Sequence, residues 1–262
     1  MSTKQKAIIY QSPAHSLYLG KLERHFKKSN ITPTLLISLE DDLELLNTQG
    51  EAIARSKSFL ISSGSDISID THNAKIAMCF LDDLGRNFDS LAPKMKNKIE
   101  NKKQSIYFDC KFNEEILEHA MYIDSKRPSH AEVSDILNIW LNKNIHKHRH
   151  LYDERVVKAV SLIKDYPHLN MSVAEIAGKV SLSVPRLIQI FKQATGTPIR
   201  RFRLWQRILV TAEKLSLGMT LTDAAIAAGF SDYAHFSRTY RELSGGNPSA
   251  ARDNTEIRAF AS

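Results

Sequence analysis

Two short segments in the second half of the chain place polar side chains at helical spacing. Arg186 and Gln189 lie in the first segment, and Tyr233, Ser237 and Arg238 lie in the second. An arginine fork can donate two hydrogen bonds to guanine O6 and N7, and a glutamine amide can pair with adenine. We therefore predict that these residues contact base edges in the major groove of DNA.

The first segment lies in a stretch whose charged side chains are all positive. The 262-residue chain has 36 basic and 29 acidic residues, which gives a net charge of +7. No acidic residue lies between Glu175 and Glu213, although this gap holds several lysines and arginines. A phosphate backbone is the commonest partner for such a charge, and a solvated basic face is the alternative. The residues that we expect to contact phosphates are Lys192, Arg200, Arg201, Arg203 and Arg241.

Other kinds of chemistry find little support in the sequence. The chain has no H-E-x-x-H, G-x-S-x-G, P-loop or G-x-G-x-x-G motif. Three histidines in residues 142–150 alternate with lysine and arginine, which repel cations, so this segment is interpreted as a basic linker. Cys79 and Cys110 form no C-x-x-C pair, which argues against a disulfide framework. We predict no enzyme activity, no metal and no cofactor.

An internal repeat indicates which elements position the polar side chains. The pattern Ile-Ala-(x)3-Ser-Leu-Ser at 176–183 recurs as Ala-Ala-(x)3-Gly-Phe-Ser at 224–231. Likewise, Leu-(x)3-Phe-Lys at 187–192 recurs as Phe-(x)3-Tyr-Arg at 236–241. A short helix, a tight turn and a longer helix make a helix-turn-helix unit. A connecting helix over 199–217 would be about 28 Å long and could set both units on one side of a duplex.

Capping residues give the bounds of the helices in this half. Ser172 and Glu175 form a capping box, Pro185 suits a first helical turn, and Gly196 and Gly218 suit helix ends. The predicted helices span residues 154–164, 173–180, 184–194, 198–217, 222–228 and 233–243.

Together these motifs resemble the DNA-binding domain of AraC/XylS-type bacterial transcription regulators. The resemblance covers residues 153–251 and is strongest from Ala228 to Arg241, although Ser181 stands where the family usually has glycine. It implies base-reading positions at Pro185, Ile188 and Gln189 in the first unit. In the second unit it implies Tyr233, Ala234, Ser237 and Arg238. It also implies promoter DNA and RNA polymerase as partners, and an activator as one form of such a regulator.

The first half predicts a separate, β-rich domain. Residues 1–141 are nearly neutral, with 18 basic and 19 acidic residues. Strands are predicted at 7–10, 17–20, 34–39, 43–46, 58–62, 67–70 and 75–80, and helices at 94–103, 113–123 and 131–143. Residues 1–150 loosely resemble the family's cupin-like regulatory domain. We expect an α+β chain of two domains, a β-sandwich or barrel with helices at 1–145 and an all-α double helix-turn-helix domain at 153–262, joined by a basic linker at 146–152.

The sequence thus predicts a cytoplasmic, sequence-specific regulator of transcription whose first domain senses a small molecule or pairs two subunits. Ile136, Leu137 and Trp140 are candidates for a homodimer helix, and a place in the core is the alternative. One competing hypothesis is an architectural DNA-binding protein with a purely dimerising first domain. Another is a cupin enzyme with an appended DNA-binding domain. No apolar run approaches the ~18 residues of a membrane span, so we expect no membrane partner.

Overall fold

The computed structural model describes residues 5–12, 15–82, 84, 86–101, 104–111, 113–141 and 152–259. Its strands are β1 (Ala7–Gln11), β2 (Ser16–Lys21), β3 (His25–Ser29), β4 (Thr34–Ser38), β5 (Leu43–Leu46), β6 (Ala52–Ser56), β7 (Ser58–Ile61), β8 (Asp66–Asp70), β9 (Lys75–Phe80), β10 (Met95–Glu100), β11 (Ser105–Cys110) and β12 (Thr255–Ala259). Its helices are α1 (Arg86–Leu91), α2 (Asn113–Lys126), α3 (His130–Leu141), α4 (Glu154–Asp165), α5 (Val173–Lys179), α6 (Val184–Thr195), α7 (Ile199–Ser216), α8 (Leu221–Ala227), α9 (Tyr233–Ser244) and α10 (Pro248–Asn254).

The first domain is a sandwich of two sheets. The larger sheet has the order β10-β11-β7-β4-β9-β2-β1-β12, and the smaller has the order β3-β8-β5-β6. Alternating residues of the two sheets meet in a shared core, with Phe26 and Ile69 from the smaller sheet and Leu36 and Phe59 from the larger. The predicted fold class is confirmed by this arrangement and by the helical second half.

The other face of the larger sheet packs against α2 and α3. Ile136, Leu137 and Trp140 are buried in this core, and Trp140 is only 3% exposed. The Trp140 Nε1 donates a hydrogen bond of 3.2 Å to His119 Nδ1 on α2. These three side chains therefore serve the core of the monomer. The structure thus gives these side chains the core position that was the alternative to a homodimer helix, and their contact with a second subunit stays a prediction.

One predicted helix of the first domain is a strand in the structure. The sequence of residues 94–103 predicts a helix, but Met95–Glu100 forms strand β10 and pairs with β11 from Met95↔Cys110 to Glu100↔Ser105. This strand lies at a sheet edge and is mostly exposed, so its sequence lacks the alternation that marks a half-buried strand. The seven predicted strands are all present, whereas β3, β6 and β11 are additional to the prediction.

The six helices predicted in the second half are confirmed, each within one or two residues. Ser172 and Glu175 form the expected capping box at the start of α5. Leu187 and Phe191 of α6 pack with Phe202 of α7 in the core of the first helix-turn-helix unit. The second half of the chain is expected to be all helical. Its last described segment is instead strand β12, which joins the larger sheet of the first domain in parallel with β1.

The two domains pack against each other along α7. The rings of Phe80 and Trp205 lie 5.2 Å apart between centroids, and Ile31 shares a core cluster with Trp205 and Ile208. None of the described helices is both long and apolar enough to cross a membrane. The predicted linker falls outside the described residues except for Tyr152.

Candidate nucleic-acid interface

Helix α6 presents a polar face to solvent. Ser183 caps its start by accepting a hydrogen bond from the Arg186 backbone N–H, and Gly196 ends it in the left-handed conformation. Its buried face consists of Leu187, Ile190, Phe191 and Thr195. Its exposed positions include Pro185, Arg186, Ile188, Gln189 and Lys192. The side chains expected to contact DNA from this helix are therefore accessible.

The two candidate base readers of α6 touch each other. Arg186 Nη1 donates a hydrogen bond of 2.9 Å to Gln189 Oε1. This contact leaves the Gln189 amide nitrogen and most donors of the guanidinium available to a partner. It also restricts the rotamers of both side chains, so a partner that binds them would cost less conformational entropy.

Helix α9 is the corresponding helix of the second unit. Asp232 caps it by accepting a hydrogen bond of 2.7 Å from the His235 backbone N–H, and Gly245 ends it. Arg238 and Arg241 are exposed, as expected. The side chain of Arg238 is therefore accessible to a partner.

Two candidates on α9 are placed differently from the prediction. Ser237 is only 5% exposed, so its assignment as a base contact does not fit the structure. Tyr233 is half-buried beside Phe236, and its hydroxyl bonds to Ser249 Oγ at 2.9 Å. If α9 buried only one narrow face, both side chains would be exposed. The structure instead surrounds α9 with α7, α8, α10 and β3, so a wider part of its surface is buried.

The basic residues around the two units fall into two groups. Lys192, Arg200 and Arg241 are exposed, and within the described residues no carboxylate lies within 4 Å of their charged groups. Arg201 Nη2 instead lies 3.5 Å from Glu242 on α9, and Arg203 Nη2 donates to the Leu169 carbonyl at 3.5 Å. Burial also lowers the pKa of Arg203. The first group is free to bind phosphates, whereas the second already has internal partners.

Arg207, one of the basic residues in the acid-free gap, has a structural role that the sequence did not reveal. It is buried, its Nε donates a hydrogen bond of 3.0 Å to the Pro167 carbonyl, and its Nη2 bonds to Asn170. These contacts fix α7 to the loop between α4 and α5. The connecting helix is therefore held to the first unit by a buried guanidinium.

The turns of the two units differ at one equivalent position. Gly229 adopts φ +94°, and a Cβ there would lie 2.9 Å from His168 Cα. Ser181, its counterpart, adopts φ +54°, which is strained for a residue with a side chain. The second turn thus requires glycine, and the first tolerates serine at a cost.

A buried lysine lies between the two domains. Lys28 on β3 is 6% exposed, and its Nζ lies 4.1 Å from the ring centroid of Phe80 and 5.3 Å from that of Trp205. Its Nζ donates a hydrogen bond to the Met78 sulfur at 3.9 Å, and no carboxylate in the described ranges forms an ion pair with it. Burial lowers the pKa of Lys28 to about 7.

Lys28 is absent from the residues predicted to be functional, although the sequence carries a signal for it. In His25–Ser29, Phe26 and Lys28 occupy the same face of a strand, so a buried Phe26 places Lys28 in the interior as well. The Lys28 side chain reaches Trp205 on α7 of the second domain, and no sequence pattern predicts which domain surface covers a strand.

Metal binding has weak support among the residues that the structure describes. Glu44, Asp70 and His72 could each offer one ligand atom, and these atoms lie within 4.8 Å of one another. Arg24 Nε, however, lies 3.2 Å from both carboxylate oxygens of Asp70. Because this guanidinium neutralises the carboxylate, we assign no metal to the cluster.

The helical domain is similar in sequence to known proteins. The chain is 34% identical to the arabinose operon regulatory protein of Escherichia coli over 108 residues, which are 40% of this chain and 36% of that protein. A helix-turn-helix domain family matches residues 176–254, which run from α5 to α10. The C-terminal domain is an AraC-type helix-turn-helix domain. The Salmonella typhimurium arabinose operon regulatory protein is 33% identical to it over 108 residues, which are 38% of that protein. The chain therefore matches little more than a third of the length of these relatives.

Solved structures extend the likeness beyond the AraC-type domain. The apo form of a ToxT variant from Vibrio cholerae has a TM-score of 0.62 at 16% identity, over 96% of this chain and 99% of that one. Wild-type ToxT with a bound unsaturated fatty acid has a TM-score of 0.56 at 14% identity, over 96% of this chain and 98% of that one. The β-rich domain and the AraC-type domain thus share the two-domain fold of ToxT.

Proposed function

We propose that this protein is a sequence-specific regulator of transcription that binds double-stranded promoter DNA through α6 and α9. The observation that carries the proposal is the pair of capped helices in one AraC-type domain, each with an exposed arginine, Arg186 on α6 and Arg238 on α9. The relatives of this domain are operon regulators by name. Contact with RNA polymerase and pairing of two subunits are further expectations from that function.

The connecting helix supports binding on one side of a duplex. Helix α7 has 18 residues, which corresponds to about 27 Å. Successive major-groove segments lie about 34 Å apart. The recognition helices lie at the two ends of α7, so their own width adds to the length of α7 towards this spacing. We propose base contacts from Arg186, Gln189 and Arg238, and phosphate contacts from Lys192, Arg200 and Arg241.

A footprint of the full chain tests this proposal. A duplex is first selected from random sequences by binding to the wild-type chain, and hydroxyl-radical protection is then mapped on it. We expect two protected patches on one face, separated by one helical turn. A single patch, or protection without sequence preference, would show that the two units do not bind DNA together.

We further propose that the first domain binds an apolar carboxylic acid at Lys28. A buried ammonium without an acidic partner is unstable, and a carboxylate would supply the missing negative charge. Phe80 and Trp205 would flank the apolar tail. ToxT structures with an unsaturated fatty acid and with a naphthalenyl-butenoic acid support this ligand class. Because Trp205 lies on α7, such a ligand would contact both domains.

Calorimetry with a monounsaturated long-chain fatty acid and its methyl ester tests the ligand. We expect the acid to bind and the ester to bind at least about tenfold more weakly, because the ester cannot pair with an ammonium. Lys28→Met should remove this preference. The matched control is Lys27→Met, because Lys27 is an exposed neighbour on the same strand. Equal binding of acid and ester to the wild-type chain would contradict the proposal.

A further inference from the structure

The second domain returns to the first through its last described segment. Strand β12 pairs in parallel with β1 from Ala7↔Thr255 to Gln11↔Ala259, at the edge of the larger sheet. A parallel strand of five residues at a sheet edge is half-buried and makes one ladder only. The segment therefore joins the two domains through a single ladder, which lies outside the main core of either domain.

Polar side chains reinforce this contact. Arg258 Nη1 donates hydrogen bonds to the carbonyls of Arg127 at 2.7 Å and Pro128 at 2.9 Å, and to the Tyr10 hydroxyl at 3.3 Å. Glu256 pairs with Arg127 at 2.8 Å and with Arg258 at 2.8 Å. The docking of β12 depends on these residues.

The docked strand is connected to the second recognition helix. Helix α10 ends at Asn254 and β12 begins at Thr255, so no loop separates them. The Tyr233 hydroxyl of α9 bonds to Ser249 of α10 at 2.9 Å. At its other end, α9 stops at Gly245, where an added Cβ would clash with the Lys27 carbonyl of β3. The first domain therefore contacts the end of α9 at Gly245 and is linked to its start only through α10 and β12.

We propose that β12 is an autoinhibitory latch that limits DNA binding by the second helix-turn-helix unit. DNA fixes α9 relative to α6 by the geometry of the major groove, whereas the latch fixes α9 relative to the first domain. Docking of β12 on β1 and binding of DNA each fix the orientation of α9. The two events therefore compete, and each reduces the affinity of the other. The inference rests on the proposed DNA binding.

Arg258→Ala and Arg127→Gln test the latch from its two sides. Binding of the full chain to its selected duplex is measured by fluorescence anisotropy at one salt concentration. We expect both variants to bind at least about fivefold more tightly than the wild type. Both remove a positive charge, which by itself weakens DNA binding, so a gain cannot come from electrostatics. Arg252→Ala is the matched control, because it removes the same charge on α10 and its partner is the adjacent Asp253.

Hydrogen exchange supplies a second measurement that needs no variant. We expect the amides of β1 and β12 to exchange faster when the selected duplex is added, whereas the amides of β4 and β9 should not change. Unchanged exchange at β12, or an affinity of Arg258→Ala equal to that of Arg252→Ala, would overturn the latch alone. If neither the wild type nor the variants bind DNA, the proposed function fails as well.

Discussion

Lys28 Nζ, in the β-rich domain, lies 5.3 Å from the ring centroid of Trp205, on the helix that joins the two helix-turn-helix units. The neighbouring carbonyl of Lys27 lies against Gly245 at the end of α9. A ligand that changes the position of Lys28 would therefore act on the connecting helix directly and on the second recognition helix through one residue of β3.

The first prediction concerns the stability of the Lys28→Met variant. Burial holds the pKa of Lys28 at about 7 in the folded chain, against 10.5 as its ordinary value, so the unfolded chain binds more protons between these values. The wild-type free energy of unfolding should therefore gain up to about 1.4 kcal/mol per pH unit from this group across that range. Methionine removes this gain.

Urea unfolding of both chains at several pH values between about 7 and 10 measures the effect. When the free energies of unfolding of wild type and variant are subtracted, the contributions of all other titrating groups cancel. A difference that stays constant with pH would show that the Lys28 amine is not desolvated in the folded chain.

A second prediction concerns the turns of the two units. Ser181→Gly should raise the free energy of unfolding by roughly 0.5–1 kcal/mol, because φ +54° is strained for serine. Gly229→Ser should lower it by about 1–3 kcal/mol, because the new Cβ would approach the His168 backbone. Thermal unfolding monitored by circular dichroism checks both. The same sign for the two variants would contradict the equivalence of the turns.

A third prediction separates the two groups of basic residues. Replacing Lys192, Arg200 and Arg241 by alanine should flatten the slope of log affinity against log salt by about 0.9 for each phosphate that is no longer neutralised. Replacing Arg201 and Arg203 should change the slope much less, because Glu242 and the Leu169 carbonyl already bind them. Anisotropy titrations at several salt concentrations measure the slopes. An equal change in slope per residue in both sets would show that internal partners do not matter.

The helical domain could be predicted closely from the sequence because its signals are local. Ser172, Ser183 and Gly196 mark helix ends by hydrogen bonds within a few residues, and the repeated pattern fixes the order of the helices. Even there, the burial of Ser237 escaped prediction, because it depends on elements that flank α9 on several sides.

The parts that the sequence did not predict depend on contacts between distant segments. Strand β10 is held by its pairing with β11, and its polar sequence alone favours a helix. Lys28 and β12 acquire their roles only where one domain covers the other. Local periodicity carries no information about such contacts, so the interdomain surface required the structure.

We propose that the AraC-type domain reads base sequence through both recognition helices, with Arg238 as the exposed arginine that reads a base from the second helix. The most direct measurement is binding-site selection with the wild-type chain, Arg238→Ala and Arg238→Lys. Arg238→Ala should cost about 1–3 kcal/mol on the selected site and relax preference at one base pair. Arg238→Lys should restore charge but not the bidentate contact. If all three chains select the same sequence, with affinities scaled uniformly over all sites, then Arg238 binds a phosphate and the claim is contradicted.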